Sequence, residues 1–375
     1  VNIPKLGKRR VSRANWAPLQ PMGTTARQNA TARVQRLHNV HHVSNEILEK
    51  VILLTKGHDC HPGDTRYLGP CQWCDESADS TPRHHHTPGA SLERLKDTRP
   101  GTKWMIDGGD ATVRALWGQH RYFMVAVDCK TGYLVVYYLV DNSAKSFVGF
   151  VHYLNNLTKL RTVNRVEELY GDYFSTYLSN TVAQLRIQLN ITLTSTPPYM
   201  HHLNPYAEGL MRILKTGVIR RLPNLRGCVI HNKVVVDGTP YWNFAMEHDV
   251  QCRNTQPSSI IERDEGVMQT ALSRFDSKTA DLTRLHLHPF GTKALVVMQP
   301  NQRSSSLSSP TWPATYMHSG MYNPFTAIYA NSPNAHVLLK ENGQLQVSGR
   351  VLFPYMKEIP ACLLYTSPSP RDVEE

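Results

Sequence analysis

The sequence predicts a mixed α/β protein in which a central sheet is flanked by helices, preceded by a small helical metal-binding region and followed by a small antiparallel β region. Over residues 103–220, apolar runs typical of strands alternate with helical patterns. Residues 37–80 contain paired histidines and a Cys-x-x-Cys segment. A helical extension is predicted at 221–262, and short apolar runs between Gly and Asn turns predict a β domain at 263–358.

The composition favours a polyanionic partner. The 375 residues allow two or three domains, and the net charge of +11 makes nucleic acid the first candidate. The seven cysteines are irregularly spaced, unlike a secreted disulfide framework. No apolar stretch is long enough for a bilayer and no signal peptide is present, so we expect no membrane association. Because the chain starts at Val1 without methionine, we expect a piece of a longer polyprotein.

Both ends and one internal segment lack a core pattern. Residues 1–36 carry basic residues, no acid and no periodicity, which predicts a flexible basic arm that contacts phosphates or serves as a solvated linker. Residues 81–102 are rich in Pro and Gly and are predicted to be a linker. The segment from Cys362 to Asp372 resembles translated sequencing-adaptor DNA, so 359–375 is predicted to be a non-native tail.

The elements of the central region follow in order along the chain. A strand ends at Asp107, a hairpin turns at 128–132, and a helix with an apolar face spans 144–160. The remaining predictions are strands at 122–127, 133–140, 166–171 and 191–193, and helices at 177–189, from Pro205 and at 240–254. Beyond these, strands are predicted at 294–298, 325–329, 335–339, 344–347 and 350–353, with a loop at 304–310.

Two histidines and two cysteines have the spacing of a zinc site. His38 and His42 stand at i and i+4 of a helix, and Cys71 and Cys74 form a Cys-x-x-Cys turn. Four N and S ligands without an open position predict structural zinc. Two other ligand sets stay open. His41 could bind the ion in place of His42, or one of His58, Cys60 and His61 could supply a ligand. The alternative to a site is a set of unligated surface histidines.

Three carboxylates are candidates for a catalytic metal site. Asp107 and Asp172 each end a predicted strand, and Glu208 lies 36 positions after Asp172 near the start of a basic helix. Three such carboxylates can hold two divalent ions for phosphoryl transfer, and oxygen ligands suit Mg²⁺ or Mn²⁺. Taken singly, an acid at a strand end is more often a turn or cap residue. Other acids compete for these roles: Asp110, Glu167, Glu168, which lies inside its strand, and Asp128, which we predict to be a turn residue.

The helix that carries Glu208 has a basic side. Asn204 can cap it, and Pro205 suits its first turn. Its predicted buried stripe comprises Tyr206, Leu210, Ile213 and Leu214. Arg212 and Lys215 follow Glu208 at i+4 and i+7, so we predict that they bind DNA phosphates; a solvated helix face is the alternative.

Together these residues resemble the integrase of a copia-type LTR retrotransposon, from about Leu37 to Glu358. The His/Cys residues resemble the gag-pre-integrase zinc domain. The motifs that carry the resemblance in the core are Trp104-Met-Ile-Asp107, Arg121 to Asp128, Val166 to Asp172, Leu189-Asn-Ile191, Thr196-Pro-Pro-Tyr199 and Asn204-Pro-Tyr-Ala-Glu208. Those downstream are Tyr241-Trp-Asn-Phe-Ala245, Arg253-Asn254, Leu287 to Gly291 and Ser348 to Phe353.

The resemblance implies an RNase H-like core with a mixed five-stranded sheet. It implies that Asp107, Asp172 and Glu208 hold two Mg²⁺ or Mn²⁺ ions. The 3′-hydroxyl of the element's DNA end then attacks a phosphodiester of target DNA. The implied partners are double-stranded DNA and further copies of the chain, and the implied location is the nucleus, with a stage in cytoplasmic virus-like particles.

Two positions depart from the family pattern. The family has Asp-Asn-Gly at the second acid, where this chain has Asp172-Tyr-Phe174, and Asn-Gly near the glutamate, where this chain has Asn204-Pro205. Both sites therefore lose the flexibility of a glycine. Two alternatives stay open: a catalytically decayed remnant that binds nucleic acid and zinc, and a nuclease of the same fold that cleaves without joining.

Overall fold

The computed structural model describes residues 24–69, 71, 74, 99–171, 179–195, 205–285, 287–298, 311–320 and 335–353. At a few helical positions, including 205–208, only the backbone is described. Several predicted features fall on the other residues: the arm before residue 24, most of the linker 81–102, Asp172, the strand 325–329 and the tail 359–375.

The described elements comprise helices, short 3-10 turns and strands. The helices are α1 (Thr24–His41), α2 (Asn45–Leu54), α3 (Ala144–Thr162), α4 (Asn180–Leu189), α5 (Pro205–Arg221), α6 (Trp242–Asn254), α7 (Ser259–Glu265), α8 (Ala271–Asp276) and α9 (Leu282–Leu285). The 3-10 turns are Asp64–Tyr67, Leu222–Leu225 and Thr239–Tyr241. The strands are β1 (Lys103–Asp110), β2 (Tyr122–Asp128), β3 (Leu134–Leu139), β4 (Glu168–Gly171), β5 (Thr192–Ser195), β6 (Val229–Ile230), β7 (Lys233–Val234), β8 (Lys293–Val297), β9 (Thr311–Ser319), β10 (His336–Lys340), β11 (Leu345–Ser348) and β12 (Val351–Leu352).

A mixed five-stranded sheet forms the centre of the protein, in the order β3-β2-β1-β4-β5. The strands β1, β2 and β3 pair antiparallel, whereas β4 pairs parallel with both β1 and β5. Helices flank this sheet, so the predicted mixed α/β class and the five-stranded mixed sheet are confirmed. The strands and helices predicted within 103–220 are present in the structure, and their ends differ from the predicted ends by a few residues.

Successive side chains along a strand point to opposite faces of the sheet, so the apolar core residues form two groups, one on each face. On one face, Trp104 and Ile106 of β1 pack with the apolar side of α3. On the other face, Phe123 and Val125 of β2 pack with apolar residues of α5 and α6. The strand β1 is therefore buried on both sides and is held between two helical layers.

A second, antiparallel five-stranded sheet has the order β11-β10-β9-β8-β12. Its residues Met317, Val337 and Leu339 join the same apolar cluster as Phe244 of α6, so this sheet is packed onto the helical layer. We did not predict its strand β9. Pro313 lies within that strand and obscures the strand pattern in the sequence.

Two segments fold differently from their prediction. Residues 24–36, predicted to belong to a flexible arm, form most of α1, and Ala30 and Val34 are fully buried. The apolar residues of this helix include few large side chains, so the sequence pattern did not predict the helix. Packing against the rest of the protein stabilises it. Residues 271–285, predicted to open the β domain, contain α8 and α9. Their residues Leu272 and Phe275 pack in the core beneath the central sheet.

Among the described residues, no helix is long and apolar enough to cross a membrane.

Candidate functional site

The structure brings the four predicted zinc ligands together. One ligand atom from each of His38, His42, Cys71 and Cys74 lies within 4.8 Å of the other three. The Sγ of Cys74 lies 3.5 Å from Nε2 of His38 and 3.8 Å from Nδ1 of His42. The Sγ of Cys71 lies 3.7 Å from the same Nδ1 of His42. We call these four residues the His/Cys cluster.

These separations fit a tetrahedral zinc ion. With Zn–S bonds of about 2.3 Å and Zn–N bonds of about 2.05 Å, tetrahedral angles separate sulfur from nitrogen by about 3.6 Å. The observed sulfur–nitrogen distances of 3.5–3.8 Å lie close to that value. Two imidazoles and two thiolates at these separations can therefore hold zinc, and they fill all four tetrahedral positions.

His42 reaches the cluster from an unusual backbone position. Helix α1 ends at His41, so His42 lies just past its end with a left-handed φ of 50°. Glycine is the usual residue there, since a side chain in this conformation is strained. We predicted that His38 and His42 both lie within one helix. His38 does, whereas His42 lies just past the end of that helix. The helix end turns His42 back toward the two cysteines.

Burial keeps the two histidine ligands neutral. It is the main cause that lowers the pKa of His38, and it lowers the pKa of His42 to about 3, with a further contribution from the charge of Arg221. Zinc binds neutral imidazole, so no proton has to leave either ring before coordination.

The other histidines and cysteine considered in the sequence lie elsewhere. Cys60 is buried among apolar core residues such as Val34 and Leu37. The backbone N–H of His61 donates to Asp64, and its side chain is exposed. His41 is buried beside Arg221, which helps burial to lower its pKa to about 3. Within the described residues, neither these three nor His58 belongs to a group of three or more potential ligands.

Asp107 lies on the face of the central sheet that is covered by α5. It pairs across the strands with Val125, which belongs to the apolar cluster of that face, and its Oδ1 accepts a 2.8 Å hydrogen bond from the N–H of Gly108. On the neighbouring strand, Gly171 pairs with Ile106. The residue that precedes Asp172 is thus beside the residue that precedes Asp107. Asp172 itself is outside the described residues.

Helix α5 lies against β1 at Gly109, two residues beyond Asp107 and on the same face. A Cβ added to Gly109 would lie only 2.6 Å from Cε of Met211. Glu208 stands three positions before Met211 in the first turn of α5, so the helix that packs on the Asp107 face also contains Glu208.

The rival acids are engaged in other contacts. Asp110 forms an ion pair with Arg121 at 2.9 Å, and Glu168 forms one with Lys103 at 2.8 Å. Glu167 pairs with Arg99 at 2.6 Å. Asp128 is fully buried and accepts hydrogen bonds from the N–H groups of Gly101 and Thr131 and from the Thr131 hydroxyl, as expected of a turn residue.

The basic side of α5 is partly exposed. Lys215 is exposed and Arg212 is half-buried. The hydrogen bond from Arg121 is the main cause that lowers the pKa of Asp110, and the charge of Lys215 adds to it. Lys215 therefore lies near the end of β1. The predicted apolar stripe needs a correction: Ile213 is exposed, whereas Met211, Leu214 and Val218 are buried against the sheet. Leu214 is buried in the apolar cluster of that face and Leu210 packs against it, as predicted.

Neither a protein-family model nor a curated protein matches this sequence.

Proposed function

We propose that this chain is the integrase of a copia-type LTR retrotransposon and joins element DNA ends to target DNA by divalent-metal-dependent strand transfer. The observation that carries the proposal is the position of Asp107. It lies on the sheet face covered by α5, in the strand beside the one that leads into Asp172.

Alternation along β4 supports the proposed trio. Tyr170 packs with Met105, which is two residues before Asp107 and on its face. Asp172 follows Gly171, the last residue of β4, and is the proposed partner of Asp107. Glu208 on α5 then completes three carboxylates of an RNase H-like core, and oxygen ligands of this kind hold two Mg²⁺ or Mn²⁺ ions.

The proposed chemistry needs no covalent enzyme intermediate. The two ions activate the attacking 3′-hydroxyl and stabilise the leaving oxygen. The protein residues position the ions and hold the DNA backbone. Arg212 and Lys215 follow Glu208 on the helix, so their proposed role is to bind phosphates beside the reacting group. The His/Cys cluster supplies a zinc-stabilised domain and takes no part in the reaction.

A decayed, non-catalytic remnant is the second candidate, favoured by Tyr173 and Phe174 in place of the family's Asn-Gly. Calorimetry separates the two. Zinc-loaded protein should bind Mn²⁺ at the trio, and Asp107→Asn should abolish that binding. Glu168→Gln is the matched control, since Glu168 lies in the adjacent strand and is paired with Lys103. Absence of Mn²⁺ binding in the wild-type protein would favour the remnant.

A further inference from the structure

A buried arginine joins the His/Cys cluster to helix α5. Arg221 is the last residue of α5, and its side chain is only 1% exposed. Its Nη2 donates to the carbonyl oxygen of Val40 at 3.3 Å. Val40 lies in the final turn of α1, between the zinc ligands His38 and His42. The guanidinium of one helix therefore caps the C-terminal end of the helix that presents the histidines.

The same guanidinium is fixed by three further contacts. Its Nη1 pairs with Oδ1 of Asp249 at 2.6 Å and donates to the carbonyl of Gly217 at 3.1 Å. Its Nε donates to Nδ1 of His248 at 2.9 Å. A planar fork of five N–H donors can make these contacts together, and a lysine ammonium cannot.

The contacts extend into the layers on either side. His248 Nε2 lies 2.7 Å from the carbonyl oxygen of His288, which leads into the second sheet. Arg220, the neighbour of Arg221, donates to the carbonyl of His42 at 3.3 Å. Close approach of the helices depends on Gly217, because a Cβ there would lie 2.2 Å from Oδ2 of Asp249.

We infer that Arg221 is a positioning residue that couples zinc occupancy of the His/Cys cluster to the order of α5, the helix that bears Glu208. Zinc fixes the strained end of α1 at His42, and that end presents the Val40 carbonyl to Arg221. The Cys252 thiol also donates to this carbonyl, at 3.3 Å. When zinc leaves, the turn that carries the carbonyl loses the restraint of the metal, and the anchor of the last turns of α5 to α1 is weakened. The coupling is reciprocal, so loss of the Arg221 contact must weaken zinc binding.

The inference concerns only the His/Cys cluster and α5. It can therefore be wrong while the proposed strand transfer is right, and strand transfer can be wrong while the inference is right. The test uses the full chain with and without zinc, and hydrogen exchange of the α5 amides as its readout. In the wild-type protein, zinc removal should speed exchange over 210–221 as well as at the end of α1. Unchanged exchange over 210–221 would overturn the inference, whatever the variants do.

Two arginine variants on the same carboxylate give a matched comparison. Arg221→Lys keeps a charge beside Asp249 but loses the fork that reaches Val40. Arg253→Lys also changes a partner of Asp249, at 2.6 Å, but Arg253 donates its other bond to Ile213 and touches α5 rather than α1. Zinc affinity, measured by competition with a chromophoric chelator, should fall roughly tenfold in Arg221→Lys and stay unchanged in Arg253→Lys.

A purely structural role for Arg221 makes a different prediction. It would reduce protection of α5 equally in the zinc-bound and zinc-free protein and would leave zinc affinity unchanged. That result in Arg221→Lys overturns the inference. If Arg221→Lys does not fold, hydrogen exchange of the wild-type α5 amides with and without zinc decides alone: faster exchange over 210–221 without zinc supports the coupling, and unchanged exchange overturns it.

Discussion

Gly109 of β1 lies directly against Met211 of α5, with no room for a side chain between them. A Cβ at Gly109 would be 2.6 Å from Cε of Met211 and 2.3 Å from Cζ of Phe123. This contact sets how closely the helix that bears Glu208 approaches the strand that bears Asp107. The close packing of α5 on β1 therefore depends on the absence of a side chain at Gly109.

Gly109→Ala should displace the Phe123 ring and the end of the Met211 side chain, and so disturb the packing of α5 on β1. Overpacking of this kind costs about 1–3 kcal/mol of stability. We also expect Mn²⁺ affinity at the trio to fall by more than the stability loss explains, and calorimetry on the folded variant measures this. Gly209→Ala is the control on the same helix, since a Cβ there meets nothing within 4 Å. It should leave Mn²⁺ affinity intact and raise stability by up to about 1 kcal/mol. Equal affinities in both variants would contradict the packing argument.

Removal of zinc should destabilise the protein. A ligand that binds only the folded state adds about 4 kcal/mol when its free concentration is 1,000 times Kd. Cys74→Ser should lose bound zinc and this stabilisation, as measured by metal analysis and thermal unfolding. Cys60→Ala is the control, because Cys60 is a buried core residue apart from the His/Cys cluster. It should retain one zinc per chain; loss of zinc in Cys60→Ala would mean that the ligand set is wrong.

Glu247 should make stability fall as pH rises. Burial raises the pKa of Glu247 to about 8, against hydrogen bonds from Gln251 and Tyr138. The unfolded chain releases this proton near the ordinary value of 4.5, so the folded state binds more protons between 4.5 and about 8. From pH 6.5 to pH 8 this proton should contribute a loss of about 2 kcal/mol. The loss is obtained as the difference between the wild-type protein and Glu247→Gln, because buried histidines such as His248 and His318, whose pKa burial lowers, add an opposite pH dependence to both proteins.

Denaturant unfolding at these two pH values measures this loss, and Glu247→Gln should remove it. The amide is close in size to the acid and can still accept a hydrogen bond from Gln251 through its oxygen, at the position where Oε1 accepts at 3.2 Å. A stability difference between the wild-type protein and Glu247→Gln that stays constant from pH 6.5 to 8 would show that Glu247 is ionised in the folded state.

Asp128→Asn should lower stability without affecting metal binding. The carboxylate accepts bonds at 2.8 Å from Gly101 and 2.9 Å from Thr131, and an amide NH₂ placed at Oδ2 would face the Thr131 donors. One buried donor left unpaired costs about 1–3 kcal/mol. Urea unfolding measures this cost. A large loss of Mn²⁺ binding in the folded variant would return Asp128 to the list of metal-site candidates.

The sequence predicted the elements that are held by strong local patterns. Alternating apolar runs predicted β2 and β3, and the spacing of Cys71 and Cys74 from the paired histidines identified the His/Cys cluster. Ligand chemistry restricts the residue types and spacings at a metal site so strongly that sequence alone selects them.

The features that sequence reasoning missed depend on tertiary packing. The apolar stripe of helix α1 is narrow and starts with a small residue, and the helix is stabilised where Ala30 and Val34 contact the core. Arg220 and Arg221 resemble an ordinary basic helix end in the sequence, and only the fold places the Val40 and His42 carbonyls beside them. Nothing in the sequence indicates the left-handed backbone conformation of His42, because glycine is the residue usually found in that conformation after a helix.

The central claim is that Asp107, Asp172 and Glu208 form one catalytic metal site. Its most direct test is an assay that joins duplex oligonucleotides carrying the element's terminal sequence to a plasmid, with Mg²⁺ or Mn²⁺ present. We predict joining by the wild-type protein and by Glu168→Gln, and background levels for Asp172→Asn. Joining by Asp172→Asn at the wild-type level would contradict the account, as would a wild-type protein that binds Mn²⁺ and DNA and yet joins nothing.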